Sequence, residues 1–153
     1  MEIEVSKKML TWLVIIPLVL VGFFLLKGKT GKASSSADGV VKISISDVSK
    51  TAKFYEYESN SVDIEYFVVL TSDGSIKTAF NACDVCYRSK KGYRQEGNDM
   101  ICNNCGLSFN IDGLGTKNKN SGGCWPGYLP NTVENDNIAI RKSDLDSGRY
   151  RFA

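Results

Sequence analysis

IEYFVVLTSDGSIKTAFNACDVC (residues 64–86) decides how the chain is to be read. Ile64, Tyr66, Val68 and Leu70 alternate with Glu65, Phe67 and Val69, the period-two pattern of a strand with two distinct faces. Ser72-Asp73-Gly74-Ser75 interrupts the run with turn formers, and Ile76, Thr78 and Phe80 then resume on one face. The stretch is therefore a β-hairpin. Its second strand runs straight into Cys83-Asp84-Val85-Cys86, so a closely spaced thiol pair hangs from the end of a strand.

Strand patterns continue on both sides of this hairpin. Upstream, Val41, Ile43 and Ile45 alternate with Lys42, Ser44 and Ser46, and Phe54-Tyr55-Glu56-Tyr57 makes a short aromatic strand. Downstream, Met100-Ile101 is a short strand. Thr132-Val133 and Ile138-Ala139-Ile140, split by Glu134-Asn135-Asp136-Asn137, form a second hairpin. Ser147-Gly148-Arg149-Tyr150-Arg151-Phe152 is expected to close the sheet as a last strand. No helix-period segment of useful length follows residue 30, and the aromatics read as sheet core. The predicted fold is all-β, a small antiparallel sheet or sandwich over residues 40–153.

The cysteines carry the chemistry. After Cys83 and Cys86 come fifteen residues and then Cys102-Asn103-Asn104-Cys105, with Gly106 able to supply a positive φ. Two facing C-x-x-C turns, each held by a strand, gather four thiolates in the geometry that Zn²⁺ or a small iron centre requires. Two disulfides are an alternative, but a bridge inside C-x-x-C is usually redox-active rather than structural. A closed Cys₄ zinc site would be redox-inert and would simply fold its domain. Two features favour iron. Cys124 arrives behind Gly122-Gly123 as a further ligand, an exchange ligand or a bystander. Arg88, Lys90, Lys91 and Arg94 face only Glu96 and Asp99 in the loop between the pairs, and cations near a net-negative iron–thiolate site raise its reduction potential. A solvated polar hairpin accounts for the same loop without any metal. The expected cofactor is an iron–sulfur cluster or iron, with zinc as the alternative and a thiol–disulfide oxidoreductase as a third reading.

The composition excludes much else. There is no histidine, which removes Ser-His-Asp and Cys-His nucleophiles, a His-ligated catalytic zinc and the Rieske His₂ set. Tyr87 and Gly106 stand where the histidine of a C-x-x-C-H haem site would be. Residues 1–37 carry +3 and the remainder −1, so the domain lacks the basic footprint of a nucleic-acid binder. An electron carrier or metal-binding protein is expected rather than an enzyme.

Met9 to Leu26 (MLTWLVIIPLVLVGFFLL) holds eighteen uncharged residues. At 1.5 Å per residue they reach about 27 Å, close to a hydrocarbon core of about 30 Å. Lys7, Lys8, Lys27, Lys29 and Lys32 flank the run, which reads as a single-span anchor after the tail 1–8. A cleaved signal peptide, with Ser35 and Ala37 as small residues, and a buried soluble helix are the competing readings. The lysine flanks nearly balance, so charge does not set orientation; the domain is expected outside the cytoplasm. Residues 27–39 read as a flexible Gly/Ser/Lys linker, since GKTGK lacks P-loop spacing.

The interval between the cysteine pairs and the GGCWP loop after them resemble the two ligand loops of a Rieske domain with cysteine in place of histidine. Rubredoxin and zinc-ribbon knuckles fit the same spacing. More specifically, AFNACDVCYRSKKGYRQEGNDMICNNCG followed by GGCWPGYLP and SGRYRF resembles the membrane iron–sulfur-containing FtrD-like family over about residues 40–153. That resemblance implies a metal centre on Cys83, Cys86, Cys102 and Cys105, with Cys124 a fifth position of the family's motif. It also implies electron handling beside a membrane permease in iron uptake, with a redox partner protein or the permease as partner. Trp125 departs from the Asn typical of the family before the proline.

Overall fold

The computed structural model describes residues 34–35 and 39–153 apart from Ser121. The expected span Met9–Leu26 lies outside the described residues, and among those described no helix is long and apolar enough to cross a membrane. Mostly β structure is found, as three small antiparallel sheets rather than one. The first sheet has the order β1 (Ser34–Ser35), β2 (Val40–Ser44), β10 (Asn137–Arg141), β9 (Thr132–Glu134). Ser34–Ser35, within the stretch read as linker, thus pair with β2 at its edge. The second sheet is β3 (Lys53–Ser59), β4 (Val62–Leu70), β5 (Ile76–Phe80), and the third is β6 (Tyr93–Glu96), β7 (Asp99–Cys102), β8 (Ser108–Asn110).

Strand β4 explains why one sheet is not enough. Its first half alternates buried and exposed residues, but Tyr66 to Val69 are buried on both faces. Ile64, Tyr66 and Val68 pack with Val41, Ile43, Ile138 and Ile140 of the first sheet. Phe67 and Val69 pack instead with Tyr93, Met100 and Phe109 of the third. A strand with apolar side chains on both faces needs cover on both, and the two outer sheets supply it. The second core continues into Cys83 and Cys102, with Cys86, Cys124 and Trp125 at its margin.

Tight turns hold the hairpins in register. Asn60 and Ser61 (φ 49° and 63°) join β3 to β4, and Asn135 and Asp136 (φ 46° and 62°) join β9 to β10. Two successive positive φ values match the right-handed twist of the paired strands. In the β4–β5 turn the Thr71 hydroxyl donates to Asp73 Oδ1 at 2.5 Å and the Ser75 N–H at 2.9 Å. The Thr71 bond first, then those from Ser75, lower the Asp73 carboxyl to about 2. A folded-state value below the unfolded one means this contribution is complete above the ordinary carboxylate range and is lost as pH falls through about 2. NMR titration of the Asp73 carboxyl is expected to show that depressed midpoint, with the Ser75 amide losing exchange protection in the same range. An ordinary midpoint overturns the assignment.

The C-terminal stretch is not the closing strand that its alternation suggested. Lys142–Ser147 form a short helix, α1, and Arg149–Arg151 a 3-10 turn. Leu145 anchors α1 in the first core, and Ser59 of β3 donates to Asp146 at 2.6 Å. At Gly148 a Cβ would overlap the Phe80 ring, so the chain crosses the core there only without a side chain. That close crossing aims Tyr150 and Arg151 at the first cysteine turn.

Candidate metal centre

Three segments meet at one end of the second core. The first leaves β5 through Asn81 and Ala82. Its turn is closed by the Cys86 N–H, which donates to Cys83 Sγ at 2.9 Å, and by the Ser89 hydroxyl on the Cys86 carbonyl at 2.8 Å. The second leaves β7 at Cys102, where the Gly106 N–H donates to the Cys102 carbonyl at 2.9 Å and Gly106 takes φ 74°. The Asn104 and Cys105 N–H groups donate to the Cys102 sulfur, and the Leu107 N–H to the Cys105 sulfur. Such N–H···S bonds stabilise sulfur in its charged form.

Loop 87–92 is stapled to both turns. Asn81 Oδ1 accepts the Tyr93 N–H at 2.7 Å, and the Asn103 N–H donates to the Gly92 carbonyl at 3.0 Å. The backbone must pass directly over the Asn81 amide at Gly92, where φ is +60° and a Cβ would collide with it.

The third segment brings Cys124 from far along the chain. Gly127 donates to the Ala82 carbonyl at 2.7 Å and accepts the Phe80 N–H at 2.9 Å, and Ala79 bridges Tyr128. Residues 127–128 thus lie antiparallel against the end of β5, one residue before Cys83. The Tyr93 hydroxyl donates to the Cys124 carbonyl at 2.5 Å, and Gly122 N–H donates to Asp84 Oδ2 at 2.9 Å.

All five cysteines are free thiols, and their sulfurs form two trios, each with every sulfur within 4.8 Å of the others. Cys83, Cys86 and Cys124 make one trio; Cys86, Cys102 and Cys105 make the other. Cys86 belongs to both. The Cys86 and Cys124 sulfurs are 3.9 Å apart. Ligands at about 2.3 Å from one tetrahedral ion would lie about 3.8 Å from each other, so this pair fits a shared metal. Cys83 and Cys102 are buried, Cys86 and Cys124 partly so, and Cys105 is exposed.

Thiols this crowded resist ionising together. Burial first, then Cys86, pushes the Cys124 thiol up to about 12. Cys102 also rises, chiefly through burial, while the Leu107 N–H helps lower Cys105. A bound cation is what lets such a set carry several thiolates at once. Burial, then the Cys83 sulfur, keeps the Tyr93 hydroxyl protonated far above its ordinary range, in keeping with its role as a donor to the Cys124 carbonyl.

Asp84 and Arg151 are site residues that the sequence reading did not single out. Asp84 Oδ1 accepts Arg151 Nη2 at 2.6 Å, Arg151 Nε at 3.0 Å and the Tyr150 hydroxyl at 2.8 Å, while Oδ2 takes the Gly122 N–H. Burial works against its charge, but Gly122, Tyr150 and Arg151 outweigh it and hold the carboxyl below its ordinary value. One carboxylate therefore ties the first cysteine turn, the Cys124 loop and the C-terminal turn together. Its position inside C-x-x-C was the available signal: an acid beside several thiols needs a cation nearby.

The four cations of the loop sit differently. Arg94 pairs with Glu96 at 2.7 Å and donates to Asn103 Oδ1 at 3.0 Å, and Arg88 lies over the Tyr87 ring. Lys90 and Lys91 are exposed, and among the described residues none of the four hydrogen-bonds a cysteine.

No curated protein and no solved structure matches the chain. A family described as membrane iron–sulfur-containing, FtrD-like, matches residues 48–152, a range that contains every cysteine together with Asp84 and Arg151. With its cysteine cluster assembled within that range, the chain belongs to the FtrD-like family of membrane iron–sulfur-containing proteins.

Proposed function

We propose that Cys83, Cys86, Cys102, Cys105 and Cys124 hold an iron–sulfur cluster or iron, and that the domain is a one-electron carrier rather than an enzyme. The carrying observation is the convergence of five free thiols into two trios joined at Cys86. The family's description supports iron–sulfur over zinc. When bound, the group supplies one-electron chemistry. The chain's own part is to fix and tune it. N–H donors from Cys86, Asn104, Cys105 and Leu107 stabilise charge on the sulfurs, and Asp84 with Arg151 holds the Cys124 loop against the first turn. Arg88, Lys90, Lys91 and Arg94 act through their field rather than by contact. The N–H···S pattern supports a likeness of both turns to rubredoxin or zinc-ribbon knuckles.

In this reading Met9–Leu26 anchors the chain in the cell membrane by a single span, with the domain outside the cytoplasm. There it serves metal or iron uptake beside a redox partner or a permease. Full-length protein purified without oxygen is expected to contain iron, to absorb visible light, to bleach with dithionite and to give an EPR signal in one redox state. A colourless protein with stoichiometric zinc assigns the site to folding alone. Thiols that alkylate fully without a chelator assign it to disulfide exchange.

A further inference from the structure

Four large hydrophobic residues are exposed among the described residues: Val85 at 57%, Leu107 at 54%, Val133 at 56% and Tyr150 at 52%. Three of them surround the cysteine cluster. Val85 lies inside the first C-x-x-C, Leu107 follows Cys105 and Gly106, and Tyr150 reaches Asp84 through its hydroxyl. Tyr87 continues the surface by packing edge-on against Tyr150, with ring centroids 6.0 Å apart. Exposed Cys105 sits beside Leu107, so the sulfur site opens onto this apolar face. Several exposed large apolar side chains gathered around one sulfur site mark a contact site.

The loop beside the face is cationic. Arg88, Lys90 and Lys91 are exposed on the loop between the cysteine turns, and among the described residues no carboxylate pairs with them. The same loop borders a cleft of about 250 Å³ that runs past Cys83 and Cys86, where Lys90 lines the wall together with Glu56, Asp63 and Glu65. Exposed cations without a carboxylate partner, beside a sulfur site, attract and orient a partner of opposite charge. Exposed Asn103 and Asn104 beside Leu107 would lose their hydrogen bonds in hydrocarbon but would keep them against a polar protein rim.

We infer that this face docks a second electron-transfer protein, apolar at the centre of its contact surface and acidic along the rim that meets Arg88, Lys90 and Lys91. The inference rests on the one-electron reading of the site. One electron passes between the partner and the centre at the Cys105 edge, the donor being oxidised by one electron and the acceptor reduced by one, with no bond made or broken.

Reduced plant-type ferredoxin, an acidic low-potential one-electron donor, is the probe. Stopped-flow reduction of the oxidised, iron-loaded full chain is expected to slow by about tenfold between low and high salt. The triple variant R88E/K90E/K91E is expected to lose about tenfold at low salt and most of the salt dependence. Val85→Ser with Leu107→Ser lowers the rate without changing the salt slope, and Val133→Ser on the far sheet changes neither. An unaltered rate and slope in the triple variant, at equal metal content, overturns the proposal. So does protection of Lys90 and Lys91 from acylation by phosphatidylserine vesicles but not by the ferredoxin, which assigns the patch to lipid. Docking is also read on zinc-loaded, redox-silent protein by NMR shifts at Val85, Leu107 and Tyr150. Shifts that vanish on charge reversal uphold the face even where the iron-loaded chain fails to accept electrons; electron acceptance without such shifts upholds the carrier and overturns the face.

Discussion

Serine in place of Cys86 is expected to empty the site. Cys86 is the member common to both sulfur trios, so its loss breaks both and leaves Cys83 with Cys124 and Cys102 with Cys105, linked only through the Cys105–Cys124 interaction. Serine at Cys83, Cys105 or Cys124 leaves one trio whole. The Cys86 variant should therefore lose far more affinity than the roughly 10–100-fold that removal of a supporting partner costs. The three other variants should retain measurable metal. Because the binding energy of small cysteine sites, about 10–16 kcal/mol for zinc, is also folding energy, Cys86→Ser should lower the thermal midpoint as well. Metal content after gel filtration, measured beside thermal unfolding, decides it. A Cys86→Ser protein with wild-type metal content rules out the shared role.

Alanine at Asp84 should weaken both the fold and the metal, and the two effects should separate. The Arg151 side chain is only 10% exposed and its ion-pair partner is Asp84. Stranding a largely buried guanidinium costs about 3 kcal/mol. Removing the carboxylate also frees the Gly122 N–H and with it the approach of Cys124. Metal affinity should fall by about 10–100-fold, the usual scale for a supporting group. Arg151→Met added to Asp84→Ala should recover much of the stability, because no charge is left stranded, but little of the affinity, because Gly122 still has no acceptor. Urea unfolding and competitive chelation read the two separately. Recovery of both together would reduce Asp84 to a purely structural ion pair.

The hairpins and the cysteine pairs were legible because each is local. Ser72-Asp73-Gly74-Ser75 turns the chain, and period-two alternation names the strand on either side. The division into three sheets was visible only in part: Phe67 and Val69 opposite Tyr66 and Val68 signal a strand covered on both faces, but not which segments provide the cover. The C-terminal segment misled because Arg149-Tyr150-Arg151-Phe152 alternates like a strand, while the six residues of α1 bury only Leu145 and are too short to show a helical period. The docking of Cys124 depends on Gly127 meeting Ala82, a contact forty-five positions apart that no local pattern encodes. Its glycine-rich approach hinted at close passage, and the pairing with Cys86 and Cys83 came only from the fold.

The clamp at Asp84 has a bearing on how the molecule is made. It joins position 84 to positions 122, 150 and 151, so a nascent chain made only as far as the third loop can seat that loop on Ala82, Tyr93 and Asp84 but leaves the Asp84 carboxylate without its cation. Under the proposed metal-binding reading, the charge balance beside the first cysteine turn is thus completed only once Arg151 has been translated.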